Sequence, residues 1–490
     1  MCTTGCGFDP RWPQRGPPAV PDDGAEVALR IDGAVRPNYF QRWRGGRIVE
    51  VAFDDDGDGK PDERIDRLGD RPDWPLCVLV LDGVPFTVVS AMWKEGRFRL
   101  FPQPSRLITV FPAMTDLAMS RMFETEPCTA PEALYFDSAR NRMIGGHKAY
   151  LGGANAPWLG PLSYHAPQTI GARAYLDPQA VFDEEMRETL RLFRQTKRGE
   201  ATAYSIGTAG LGTRGGRPAM RLYLQTVERL FERLVYEKRG RVRLALLADH
   251  GHDLLPCRRV GFRDALGRAG LRLTNAIGGP RDVVIPAYGL VTYAAVFTQR
   301  PAEAAAALLA DPAVELAAYR EGQAVIVRAR DAEAAIERRE GGYTYTARRG
   351  DPLRLWPILA RMRSSGHGVG PDGSLEDAGL FEATATHDFP DALHRLWHCF
   401  DGLMQKPPDL ILSLNEGYCH GSWLFEIGVG RVASTHGSLA RESSTTFLLS
   451  DAGPLPKALR VDEVMRVLRA GRGGARAAVS TNRGLNAPGS

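Results

Sequence analysis

The amino-acid sequence predicts an α/β fold built on a mostly parallel central sheet. Three observations predict it. Residues 76–81 (LCVLVL), 241–248 (RVRLALLA) and 409–414 (DLILSL) are short continuous apolar runs, the pattern of strands buried on both faces. Residues 182–197 and 217–239 are amphipathic at helical spacing. Two of the apolar runs end in an acidic residue followed closely by glycine, Asp82-Gly83 and Asp249-His250-Gly251.

The elements follow in chain order. Residues 1–45 read as an N-terminal tail passing into an irregular segment. The first 21 carry Cys2 and Cys6 among Pro and Gly without periodicity and lack the apolar stretch of an intact signal peptide. A disordered tail is the expectation, and the remnant of a lipoprotein leader is the other reading. Residues 46–74 hold an alternating strand, 46–53, and an Asp-rich loop. In that loop Asp54, Asp56, Asp58 and Asp62 fall at ligand positions of a calcium loop, but Ile65 stands where an EF-hand needs glutamate. A short calcium site and a solvated acidic turn both fit. Residues 75–300 read as the first part of the α/β core. Residues 301–355 read as a small inserted α+β subdomain, with 301–311 helical and strands VELAAY, QAVIVRA and GYTYTAR around a helical DAEAAIER. Residues 356–470 complete the core, closing on a helix at 461–469, and 471–490 form a flexible tail.

Composition bounds the function. The 490 residues suffice for a large core. The net charge of +4 is a small difference between 62 basic and 58 acidic residues, so no nucleic-acid polymer is expected as a partner. No apolar run approaches the ~20 residues of a membrane span. The seven scattered cysteines are odd in number and contain no CxxC pair, which excludes a disulfide framework and a structural zinc knot. The compartment stays open: cytoplasmic, or the cell envelope if a leader lies upstream. Oligomeric state is not legible.

Chemistry concentrates at the strand ends. Ligands of open parallel sheets bind at the carboxyl ends of strands. Asp82 and Asp249-His250 therefore face one rim, and two carboxylates with an imidazole suit a divalent metal such as zinc. Thr115 stands at the start of a helix over 116–123, where backbone amides point outward and favour an anion.

Four segments carry a resemblance to the alkaline phosphatase superfamily, in its branch of type I phosphodiesterases and nucleotide pyrophosphatases. They are VLVLDGVP with Asp82, VFPAMTD with Thr115, LLADHGHD with Asp249 and His250, and ASTHGSL with His436. They occur in the family's order between residues 75 and 450. The resemblance implies a three-layer α/β/α sandwich and a small phosphorylated or sulfated substrate. It implies zinc held by Asp82, Thr115, Asp249, His250 and His436. It also implies catalysis through Thr115, which attacks phosphorus in line and passes through a phosphothreonine.

One departure bears on activity. The family carries a D-x-x-x-H segment whose Asp and His, with the late histidine, hold a second zinc. Aligned here on Arg214-Gly215-Gly216, those positions are Ala209 and Thr213. Neither replaces the lost donors, so His436 is expected to lack co-ligands. Another histidine could swing in as a donor: His147, His165, His252 and His387 are candidates, and His252 in DHGHD is closest in sequence. For each of the four the expectation is an ordinary surface or hydrogen-bonded histidine. Three classes follow: a phosphoester hydrolase with one sound metal site; an inactive binding protein on a hydrolase scaffold; and a calcium-stabilised envelope protein resting on the Asp54–Asp62 loop.

Overall fold

The computed structural model describes residues 20–470 apart from 70, 153–154, 431, 452 and 454. The expectations for the first 19 residues, including Cys2 and Cys6, and for the tail at 471–490 lie outside these. Four strands open the chain: β1 (Glu26–Leu29), β2 (Tyr39–Arg44), β3 (Arg47–Phe53) and β4 (Glu63–Asp66), an antiparallel sheet in that order. The first two lie where an irregular segment is expected. Pairing across the turns, Glu26 to Arg42 and Tyr39 to Phe53, and burial of Tyr39 and Trp43 order a stretch with little alternation of its own.

The central sheet follows. Its strands are β5 (Leu76–Leu81), β6 (Ser105–Ile108), β7 (Glu200–Ser205), β8 (Arg243–Ala248), β9 (Thr445–Ser450) and β10 (Ala458–Arg460), ordered β10-β6-β9-β8-β5-β7. All run parallel except β9. The apolar runs are continuous because the sheet is covered on both faces. Leu76, Val78 and Val80 of β5 pack with Leu117 and Met119 of helix α1 (Thr115–Met122). Cys77, Leu79 and Leu81 face the other way, onto Phe182 and Met186 of α2 (Pro178–Gln195) and Leu224 of α3 (Gly207–Glu237). Gly216, at φ +55° inside α3, breaks its helical path just before Pro218.

The remaining chain builds more sheet than expected. Residues 314–349 supply four antiparallel strands to a nine-stranded sheet that also contains Tyr293–Thr298 and Leu410–Leu414. The DAEAAIER segment, read as helix, is the strand Ala332–Arg339. Alanine and glutamate favour helix in isolation. Here Ala334, Ala335 and Ile336 are buried between strands paired on both sides, and that packing overrides propensity. Among the described residues no helix is long and apolar enough to cross a membrane.

The Asp-rich loop is a turn between β3 and β4. Asp54 accepts the amides of Gly57 and Gly59 at 2.7 and 2.8 Å, and Asp62 accepts that of Asp55 at 2.7 Å. Asp54, Asp56 and Asp62 each bring one oxygen within 4.8 Å of the others, and Asp58 stands outside that set. Of the cysteines, Cys77 is core as expected, while Cys257 and Cys419 approach to 2.6 Å as free thiols.

At the end of β10 Arg460 ties the sheet to the following layer. It donates to Asp377 at 2.6 and 2.9 Å and to Asp391 at 2.7 and 2.9 Å. Arg460→Leu strands two carboxylates and is expected to lower stability by about 3–5 kcal/mol in urea unfolding near neutral pH. Burial alone raises the Asp377 carboxyl, but hydrogen bonds from His394 and Arg460 hold it well below its usual 3.8. Its contribution is therefore present above 3.8 and lost as pH falls further. The gap between wild type and Arg460→Leu should narrow in acid; a constant gap from pH 7 to 3 would contradict this.

Candidate metal centre

The rim of the central sheet assembles the site. β5 and β8 are adjacent and parallel, with Leu81 opposite Ala248, so Asp82 and Asp249 leave the sheet side by side. β6 runs the same way, and the loop after it delivers Thr115 as the first residue of α1. β9 runs against the others, so its start lies on this rim, and the segment entering it carries His436. Buried Arg395 joins two of these loops by donating to Val110 O at 3.0 Å and Leu439 O at 3.3 Å.

Asp82, Thr115, Asp249, His250 and His436, all singled out in the sequence, come together. Thr115 Oγ1 stands 3.1 Å from His250 Nε2 and 3.4 Å from Asp82 Oδ2. His250 Nε2 is 3.4 Å from Asp249 Oδ2 and 3.8 Å from Asp82 Oδ1. Donors held about 2.0–2.1 Å from a tetrahedral zinc are about 3.3 Å apart. The four groups are thus spaced as one coordination shell.

The hydrogen bonds leave the inward atoms bare. Asp249 Oδ1 accepts the amides of Gly83 and His250 at 3.0 and 2.9 Å. Asp82 Oδ2 accepts the Tyr204 hydroxyl at 2.5 Å. Asp82 Oδ1 and Asp249 Oδ2 are buried with no hydrogen-bond partner among the described residues. Buried polar atoms are rarely left so, and two unpaired carboxylate oxygens on one side of a buried imidazole fit a cation. His250 Nδ1 lies 2.9 Å from Gly251 O, to which it donates; Nε2 then carries the free lone pair.

The electrostatics agree. Burial, then the neighbouring Asp249 carboxylate, pushes Asp82 well above the usual range despite hydrogen bonds from Tyr204 and Thr115. Burial raises Asp249 to about 6 and lowers His250 to about 4. Burial also holds His252 and His436 well below the ordinary histidine value. These imidazoles are neutral near pH 7, the form that ligates metals.

Two expectations change. His436 does not stand alone: its ring stacks on His250 at 3.9 Å between centroids and lies 5.1 Å from His252. Of the four candidate histidines, His252 is the one beside this set: it is fully buried and hydrogen-bonded through Nδ1 to Ser434 Oγ, and nitrogens of His250, His252 and His436 lie within 4.8 Å of one another. His147, His165 and His387 make ordinary contacts to Tyr288, Ala166 O and Arg354 O. Ala209 and Thr213 are buried in the first turns of α3. Tyr204 was missed: on β7 opposite Val80, it reads in sequence as one more strand aromatic.

No protein-family model matches the chain, and no curated protein matches it. Solved structures do. Human ectonucleotide pyrophosphatase/phosphodiesterase 5 aligns at 11% identity and TM-score 0.43, over 81% of this chain and 93% of its own. Phosphonoacetate hydrolase from Sinorhizobium meliloti 1021 aligns at 13% identity and TM-score 0.44, over 84% and 97%. Murine ectonucleotide pyrophosphatase/phosphodiesterase 5 aligns at 12% identity and TM-score 0.42, over 82% and 95%.

The carboxyl pair predicts a pH signature. A carboxyl raised to about 6 stabilises the cation-free fold below the usual 3.8, and that contribution is lost as pH rises through about 6. A bound cation needs the ionised form, so its affinity falls as pH drops through the same range. Chelator-treated protein should therefore melt lower at pH 7.5 than at 5.5, with zinc reversing the order. Asp249→Asn should lose the zinc effect and weaken the cation-free pH dependence to what the raised Asp82 carboxyl still contributes. An unchanged melting temperature across this range, with and without zinc, would contradict the assignment.

Proposed function

We propose that the chain is a metal-dependent hydrolase of phosphoric esters, with Thr115 as nucleophile. The single observation that carries this is the convergence of Asp82, Asp249 and His250 on the Thr115 hydroxyl, with two carboxylate oxygens unpartnered. Bound there, a divalent cation such as zinc lowers the hydroxyl's pKa and offsets charge developing on the phosphoryl oxygens.

The chain's own residues supply the rest. Asp82, Asp249 and His250 would hold the cation, with Asp82 Oδ1, Asp249 Oδ2 and His250 Nε2 the atoms free to do so. Tyr204 and the Gly83 amide occupy the outward oxygens and fix both carboxylates in place. Thr115 is only half-buried, as is His436, so the phosphoester approaches from their side. The outward amides at the start of α1 receive its oxygens. Thr115 Oγ1 gives up its proton to water and attacks phosphorus in line while the opposite ester bond breaks, the departing alkoxide taking a proton from water. A second water then attacks phosphorus, loses its proton and breaks the threonine–phosphorus bond, restoring the Thr115 hydroxyl and releasing the phosphoryl product. Sulfate esters share the shape and charge of this substrate class.

The competing reading, an inactive ligand-binding scaffold, draws on Ala209 and Thr213. Turnover of a bis-nitrophenyl phosphate with added zinc separates them. Wild type should hydrolyse it, chelation should stop it, and Thr115→Ala should lose on the order of 10⁴-fold or more. Equal inertness of wild type and Thr115→Ala over a panel of mono- and diesters would sink the catalytic reading.

A further inference from the structure

We propose that this protein rebuilds a second cation site from His252 and His436, with His252 replacing the donors absent at Ala209 and Thr213. The inference rests on the proposed hydrolase site only in that His250 belongs to the carboxylate set; its own evidence is separate.

The first observation is an unpaired nitrogen. His252 is fully buried, and its Nε2 has no hydrogen-bond partner among the described residues. The other ring nitrogen is fixed. Nδ1 lies 2.7 Å from Ser434 Oγ, and that hydroxyl donates its own proton to Gly212 O at 3.0 Å. The hydroxyl can then only accept from the imidazole, so Nδ1 is protonated and Nε2 carries the free lone pair. His436 is set the same way, with Nδ1 donating to Ala113 O at 2.8 Å. A ligating histidine is characteristically held by such a bond through its other nitrogen.

The second observation is room. A Cβ placed on Gly83 would lie 2.3 Å from His252 Nε2, and one on Gly212 would lie 3.7 Å from His252 Cε1. The imidazole thus runs between the strand end that carries Asp82 and the turn of α3 that carries Ala209 and Thr213. Gly83 is the residue that admits it. Position 83 has φ +65°, which also favours glycine.

The donors define the cation. His250 has one free lone pair, and its spacing to Thr115, Asp82 and Asp249 assigns it to the carboxylate set. Two neutral imidazoles remain, with no anion. Such a set favours zinc, cobalt, nickel or copper over magnesium, calcium or manganese. With two protein donors instead of four, it binds more weakly than the carboxylate set and leaves positions for water or phosphoryl oxygens.

Titration calorimetry of metal-free full-length protein with zinc tests this, with dialysed metal counted by elemental analysis. Wild type should take two zinc ions in a tighter and a weaker phase, and magnesium should never fill the weaker one. His252→Ala should take one, in the tighter phase. Ser434→Ala keeps the imidazole volume and guards against loss of fold; it should weaken only the second phase, by about 10–100-fold. A single zinc in wild type, or a second phase unchanged in both variants, would overturn the proposal. The hydrolase reading fails separately: two ions without turnover would sink it and leave this site standing, and turnover with one ion would do the reverse.

Discussion

Two carboxylates forced side by side in a buried site are the constraint on which the rest of this molecule's chemistry depends. Leu81 and Ala248 are register partners on parallel strands, so Asp82 and Asp249 must leave the sheet together. Among the described residues neither pairs with a lysine or arginine. Burial raises both carboxyls, and one oxygen of each finds no donor. An arrangement this costly persists when something absent from the chain itself balances it, and a divalent cation is the simplest such thing.

The surrounding residues make sense as supports for that pair. Tyr204 and the amides of Gly83 and His250 engage the outward oxygens and leave the inward ones bare. Thr115 enters from a different layer and completes the shell with an ionisable hydroxyl. Arg395, buried without a carboxylate partner in hydrogen-bonding contact, locks the loop that presents Thr115 to the segment after His436. Burial lowers even its guanidinium to about 9, which marks how dry this layer is.

Much of this was legible in the sequence for a physical reason. A strand buried on both faces is a continuous apolar run, and the residue that ends it must sit at the rim, so 76–81 and 241–248 announced Asp82 and Asp249. His252 was legible only as one of four candidate histidines, with an ordinary role the expectation for each. Its role depends on Ser434, 182 residues away, and on two glycines that give it space, and no local periodicity records such a contact. The strand at 332–339 was hidden by alanine and glutamate, whose helix preference yields to pairing on both sides. The strands at 26–29 and 39–44 were hidden because long-range pairing, not alternation, orders them.

The departure at Ala209 and Thr213 is accompanied by an imidazole in the adjoining space, oriented by its own hydroxyl partner. The claim beneath all of this is that Asp82, Thr115, Asp249 and His250 are one coordination shell. Anomalous diffraction at the zinc edge, from crystals grown with zinc, tests it most directly. The account predicts a strong peak about 2 Å from all four donor atoms. Zinc peaks elsewhere, with none among these four residues, would contradict it.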